Sequence, residues 1–284
     1  MLAVFYALFQ GLQLGIYTIT VSSVLDHTLS AKYTQELMKK DLELYFDGMK
    51  ANYKNLLVIS PLYYAMLYIF LMNHNKEGFY IFDYSGLVLL HNIGYYLVHK
   101  NMHKLSSMQF LKEAHGFHHR FINTIPSTGN AVSPMEFNLA YVSPFIMGIY
   151  LISPNNITLK CAIMTISLLN IAIHCPNLSD LELPPYLVSP MQHMNHHKKA
   201  IIETYAAPFL NIDYIVDEAN KLYKIYFPII QDDDTILVID SSNNVLLETP
   251  EQITDSDENT LTVQKDKFVE EYVATDNINN KKED

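Results

Sequence analysis

Apolar runs near the length that a bilayer asks of a helix, about 20 residues, recur along this chain at 2–25, 56–72, 79–98, 137–152 and 157–173. Lipid offers no partner for backbone N–H and C=O groups, so such runs fold as helices that satisfy themselves. The fold expected is therefore all-α, a multi-span membrane helical bundle. The first run is diluted only by Ser, Thr, Gln and Gly. It lacks the basic leading region and small-residue cleavage site of a signal peptide, so an uncleaved span is expected. The second holds Pro61, which membrane helices tolerate. The third is less pure, with Asp83, His91 and Asn92. Several runs are short, which leaves partly crossing hairpins open.

Charge separates the chain into parts. Residues 231–284 carry 15 acidic side chains and four lysines, the whole of the net charge of −11, while the rest balances at 15 against 15. A neutral body has no basic stripe for phosphates, which argues against nucleic-acid binding. The tail is acidic and poor in aromatics, so it is expected to be mostly disordered, although TILVIDSSNNVLLE alternates about an Asn-containing turn and suits a hairpin. Two cysteines, Cys161 and Cys175, make no disulfide framework and are expected as free buried thiols. The divisions expected are 1–54, a span with an amphipathic connector; 55–230, a membrane catalytic domain; and 231–284, the tail.

The chemistry is concentrated in histidine. Eight of twelve fall in three clusters: His99 and His103 in HKNMH, His115, His118 and His119 in HGFHH, and His193, His196 and His197 in HMNHH. Residues three and four apart share a helix face, so each cluster aims two or three imidazoles at one point. Neutral imidazole is the commonest metal ligand, and eight are too many for one ion of about four ligands. Two metals are expected. Imidazole suits iron, copper and zinc alike, so the residues alone do not choose among them.

Order along the chain adds a constraint. If 56–72 pairs with 79–98 and 137–152 with 157–173, every cluster emerges on one side of the membrane. His174 caps the last run on that same side. Residues 26–54 hold five lysines and five acids, weak support for a cytosolic placement. Asn156 opens a glycosylation sequon in the turn on the opposite side.

With the clusters placed, residues 85–215 resemble the fatty acid hydroxylase and sterol desaturase superfamily of membrane di-iron enzymes, C-4 methylsterol oxidases being the most similar branch. HKNMH stands at the first histidine motif, and LKEAHGFHHRFINTIPSTGNAVSPMEF parallels the second with its following Pro and Glu. His174 with Pro176 matches the single histidine after the second hairpin. HMNHH followed by Asn211-Ile212-Asp213 matches the last. Ser133 replaces a frequent His, Asn92 a frequent Asp, and Glu203-Thr204-Tyr205 the usual Asn-Tyr-Gly.

The resemblance implies that His99, His103, His115, His118, His119, His174, His193, His196 and His197 hold two iron ions, with zinc as a substitute. It implies O2-dependent hydroxylation, demethylation or desaturation of a sterol or fatty-acyl lipid. Electrons come from an external donor such as cytochrome b5 and its reductase, and the site faces the cytosol from the endoplasmic reticulum or an equivalent host membrane. Glu113 and Glu136 are each expected as an acceptor for an imidazole N–H or as a surface charge rather than as a ligand, with Asn92, Asn195 and Asp213 as further orienting groups. His91, eight positions before His99, is expected outside the site, and His27 and His74 at the surface. A catalytically inactive membrane scaffold and a zinc-dependent membrane hydrolase stay open as alternatives.

Overall fold

The computed structural model describes residues 1–104, 109–199, 204–226, 236–239, 245–248 and 261–262. The chain divides into two compact units, Met1–Glu218 and Ala219–Asp284. The first is built of helices, as the apolar runs require. In chain order these are α1 (Leu2–His27), α2 (Ala31–Lys40), α3 (Leu42–Tyr53), α4 (Ser60–Phe70), α5 (Ile81–Lys104) and α6 (Gln109–His119). There follow α7 (Pro134–Glu136), α8 (Ser143–Ile152), α9 (Asn156–Ile173), α10 (Pro190–Lys198) and α11 (Ile212–Tyr226), the last crossing into the second unit. The described part of that unit adds β1 (Ile236–Ile239), β2 (Val245–Glu248) and β3 (Leu261–Thr262), antiparallel in the order β2-β1-β3. Ile236 pairs with Glu248, the hairpin read from the alternation. Its turn, and most of the tail for which disorder was expected, lie outside the described residues.

Among the described residues, three segments are long and apolar enough to cross a membrane: Leu2–His27, Pro134–Ile152 and Asn156–Ile173. The expected runs at 56–72 and 79–98 fall short of that measure. α4 is brief, and α5, although it rises about 36 Å over 24 residues, carries polar side chains along its length.

Local chemistry sets the breaks. The Asp41 carboxylate accepts the Leu44 N–H at 2.8 Å and starts α3, so one amphipathic stretch becomes two helices. Between α3 and α4 lies a π-helical turn, Lys54–Ile59, and a second, Phe137–Val142, precedes α8. Each ends at Ser-Pro. A proline ring crowds the carbonyl four residues back, and the ladder opens by one residue. Ser60 N–H reaches the Asn55 carbonyl and Ser143 N–H that of Asn138, five positions back in both cases. The sequences are alike, NLLVISP at 55–61 and NLAYVSP at 138–144.

Two helical hairpins, α4 with α5 and α8 with α9, turn at the same end. Asn73 N–H donates to the Pro154 carbonyl at 2.9 Å, and Asn155 Nδ2 to the Gly78 carbonyl at 2.6 Å. From that end α5 runs to His99 and His103 and α9 to His174. The hairpin parity read from the sequence therefore appears in the helices themselves.

Close helix approach needs missing side chains. A Cβ on Gly15 of α1 would stand 2.0 Å from the Leu56 carbonyl oxygen, and one on Gly94 of α5 2.8 Å from Pro144 Cβ. Inside, Tyr64, Leu67, Leu87, Ile149, Leu159 and Ala162 form a continuous core. Outside, Phe5 and Phe9 of α1, Phe70 of α4 and Tyr150 of α8 are exposed, an apolar exterior suited to lipid.

Candidate metal centre

Four elements converge at the histidine end. α5 ends on His99 and His103, α6 carries His115, His118 and His119, His174 follows the last turn of α9, and α10 carries His193, His196 and His197. α10 is pinned at its start. Ser189 and Gln192 cap it reciprocally, and Pro190 holds the first position.

All nine histidines named from the sequence come together, in two groups. His99, His103, His115, His119 and His196 form one, and His118, His174, His193 and His197 the other, with the ligand nitrogens of each group within 4.8 Å of one another. Seven of the nine are buried, and His103 and His119 are half-buried. In the first group, Nε2 atoms of His99 and His115 stand 3.0 Å apart, those of His103 and His115 2.9 Å, those of His119 and His115 2.8 Å, and those of His196 and His99 3.2 Å. In the second, His174 and His193 face each other at 3.0 Å and His193 and His197 at 3.3 Å. His118 Nε2 is buried without a hydrogen bond.

The far side of several rings fixes which nitrogen carries the proton. Nδ1–H of His99 donates to the Tyr205 carbonyl at 2.8 Å, that of His174 to the Asn170 carbonyl at 2.7 Å, and that of His118 to the Ala131 carbonyl at 3.4 Å. His115 Nδ1–H meets Glu136 Oε1 at 2.6 Å. A carbonyl can only accept, so Nε2 of His99, His174 and His118 bears a lone pair. Where two such lone pairs are aimed at each other, no hydrogen bond forms. A cation between them turns repulsion into binding. Nitrogens at right angles about an ion at about 2.1 Å lie about 3.0 Å apart, and tetrahedral ones about 3.4 Å. Four of the six spacings fall in that range, and the other two, 2.9 and 2.8 Å, lie just below it.

Burial also keeps the rings neutral. It pushes His174 down to about 4 and His119 to about 3. His115, His118, His193 and His197 lie well below the usual imidazole range, from burial first and neighbouring imidazoles second. Near neutral pH these imidazoles are therefore deprotonated ligands in waiting.

The two glutamates divide between the two roles expected of them, while the other orienting candidates sort differently. Glu136 is buried and orients His115, whereas Glu113 is exposed beside Gln109. Asn92 touches no imidazole. Its Oδ1 accepts the N–H groups of Phe209 and Leu210 at 3.1 and 3.2 Å, because that loop crosses α5 a turn and more before His99. Asp213 acts one step removed, accepting Ala206 N–H at 2.9 Å beside the Tyr205 carbonyl. Asn195 is exposed. Ser133 caps α7 through Glu136 N–H at 3.1 Å and so places Glu136. His91 joins neither group, and His27 and His74 are exposed. The orienting carbonyls of Tyr205, Asn170 and Ala131 escaped sequence reasoning, since a backbone oxygen leaves no mark in residue type.

Set against protein-family models, residues 84–217 match that of the fatty acid hydroxylase family. The matched segment runs from α5 into α11 and contains all nine histidines. No curated protein and no solved structure matches the chain.

Proposed function

Taking residues 84–217 as a fatty acid hydroxylase segment, we propose that the protein is a membrane-bound, non-haem di-iron oxidoreductase. It uses O2 to hydroxylate, demethylate or desaturate a lipid, sterol or fatty-acyl. The observation that carries the reading is the division of nine histidines into two adjoining groups of donors, five and four, each sized for one ion. Iron bound there would supply the reducible centre that O2 chemistry on an unactivated C–H bond requires.

The residues contribute geometry and exclusion. Histidines on α5, α6 and α10, with His174 just after α9, hold their Nε2 atoms inward, while the Tyr205, Asn170 and Ala131 carbonyls and Glu136 hold ring orientation from behind. Burial of most of the rings keeps bulk water from the donors. The apolar exterior of the helices favours substrates that arrive through the bilayer. Electrons enter from an external donor of the cytochrome b5 kind with its reductase, and the centre faces the cytosol from the endoplasmic reticulum or an equivalent host membrane.

The test is reconstitution. Protein purified in detergent and loaded with ferrous iron, given a reductant, 18O2 and a panel of sterols and acyl lipids, should yield product with 18O incorporated or two hydrogens lost. O2-independent conversion, or none across the panel at full iron content, would overturn the reading.

A further inference from the structure

Three buried polar side chains that precede the family-matched segment are directed at one stretch beside the metal groups, residues 126–132. Asp26, near the end of α1, is 1% exposed, and its Oδ1 accepts Ser127 N–H at 3.1 Å. Asn52 of α3 is buried and donates its Nδ2 to the Ser127 carbonyl at 3.1 Å. Ser127 is thus held through both of its backbone polar groups, by two different helices. Asn55, in the first π-helical turn, donates to the Val132 carbonyl at 2.9 Å, at the far end of the stretch. The Asp26 backbone is itself fixed, since Thr34 Oγ1 of α2 donates to its carbonyl at 2.9 Å.

Burying a polar side chain costs free energy unless it is bonded, and an ionisable one on an apolar helix is a functional candidate. What Asp26 and Asn52 hold is a 3-10 turn, Pro126–Asn130, tightened by Thr128 Oγ1, which donates to the Ile125 carbonyl at 2.7 Å. Ala131 N–H donates to the Thr128 carbonyl at 3.0 Å, so the position of Ser127 is handed on to Ala131. The Ala131 carbonyl is the acceptor behind His118. Asn170 Nδ2 donates to the Gly129 carbonyl of the same turn at 2.8 Å, while the Asn170 carbonyl stands behind His174. His118 and His174 both belong to the group of four. In the group of five, His99 is held by the Tyr205 carbonyl and His115 by Glu136, which lies beyond the Asn55 anchor at Val132.

We propose that Asp26 and Asn52 are positioning residues of the group of four histidines, fixing through Ser127 the turn that aims His118. The first helices of the chain then complete a metal site whose ligands all lie in the family-matched segment. The inference rests on the reading of that group as a metal site and on no step of the oxidation.

The experiment uses the full chain in detergent with ferrous iron alone, without O2 or substrate. Two parent chains separate the groups: His103→Ala with His196→Ala keeps the group of four, and His118→Ala with His197→Ala keeps the group of five. Competition with a chromophoric chelator reads the iron affinity of each. In the first parent, Asp26→Ala and Asn52→Ala should each lower affinity about 10-fold, the lower end of what groups behind metal ligands contribute. Asp26→Asn, which keeps an acceptor for Ser127 N–H, should stay within about threefold of the parent. In the second parent, all three changes should stay within about twofold. A role in stability alone would weaken both groups alike, so equal losses in the two parents, or loss of all binding together with the fold, would overturn the proposal. Unchanged affinity of the group of four would do the same while leaving the metal reading intact. A first parent that bound no iron would overturn the metal reading and the proposal together, and it would show before any change at Asp26 or Asn52.

Discussion

His115 Nδ1 stands 2.6 Å from Glu136 Oε1, joining the histidine-bearing α6 to the short α7 across 21 residues of sequence. The carboxylate holds the ring from behind, as acceptors beside metal-bound histidines commonly do. Glu136→Gln keeps an acceptor and should lower metal affinity about 10-fold; Glu136→Ala should cost about 100-fold. Competition with a chromophoric chelator reads both, and wild-type affinity in the Ala variant would remove Glu136 from this role.

The two groups should fail separately. His103→Ala with His196→Ala should halve the metal content by emptying the group of five, and His118→Ala with His197→Ala should halve it by emptying the other. Elemental analysis of purified protein distinguishes this from a single shared ion, for which either pair would take all the metal.

Asn92→Ala should loosen the loop that presents Tyr205 to His99. Its Oδ1 serves two backbone N–H groups, and leaving them unmet costs about 1–3 kcal/mol. Thermal unfolding should fall accordingly. Asn92→Asp, which keeps the acceptor, should recover most of it.

Metal-stripped protein should lose stability in acid. Histidines in the unfolded chain titrate near 6.5, while burial holds His174 at about 4 and His119 at about 3. Between these limits the unfolded state binds more protons, so stability falls as pH falls. The contribution is complete above about pH 6.5 and erodes toward pH 4 and below. Unfolding temperatures from pH 8 to 4 in the presence of a chelator check this, and a flat profile would contradict the burial.

Topology is open to labelling. With Cys161 and Cys175 replaced, Asn156→Cys and Lys104→Cys should react with an impermeant maleimide from opposite sides of the membrane, because α5 and α9 run in common from the shared turn to the histidines.

Much of this was legible beforehand because histidine spacing and apolar length are properties of side chains. The i, i+3, i+4 pattern needs only helical geometry to bring HGFHH and HMNHH onto one face each. What the sequence could not show rests on the backbone. The Tyr205, Asn170 and Ala131 carbonyls could belong to any residue, and Asn92, read as an imidazole partner, is taken by a loop that reaches it from over 100 residues away. The π-helical turns sat in plain view as NLLVISP and NLAYVSP, yet a proline inside an apolar run reads first as a kink.

The donors themselves carry no charge. Nine imidazoles leave the cations they hold with nearly all their positive charge, and the nearest carboxyl group, Glu136, stands behind one ring rather than among the donors. In a buried, poorly screening pocket that field is strong. Small anions such as azide, cyanide or fluoride are therefore expected to concentrate at the centre and compete with O2 there, making anion sensitivity a built-in trait of an all-nitrogen ligand set.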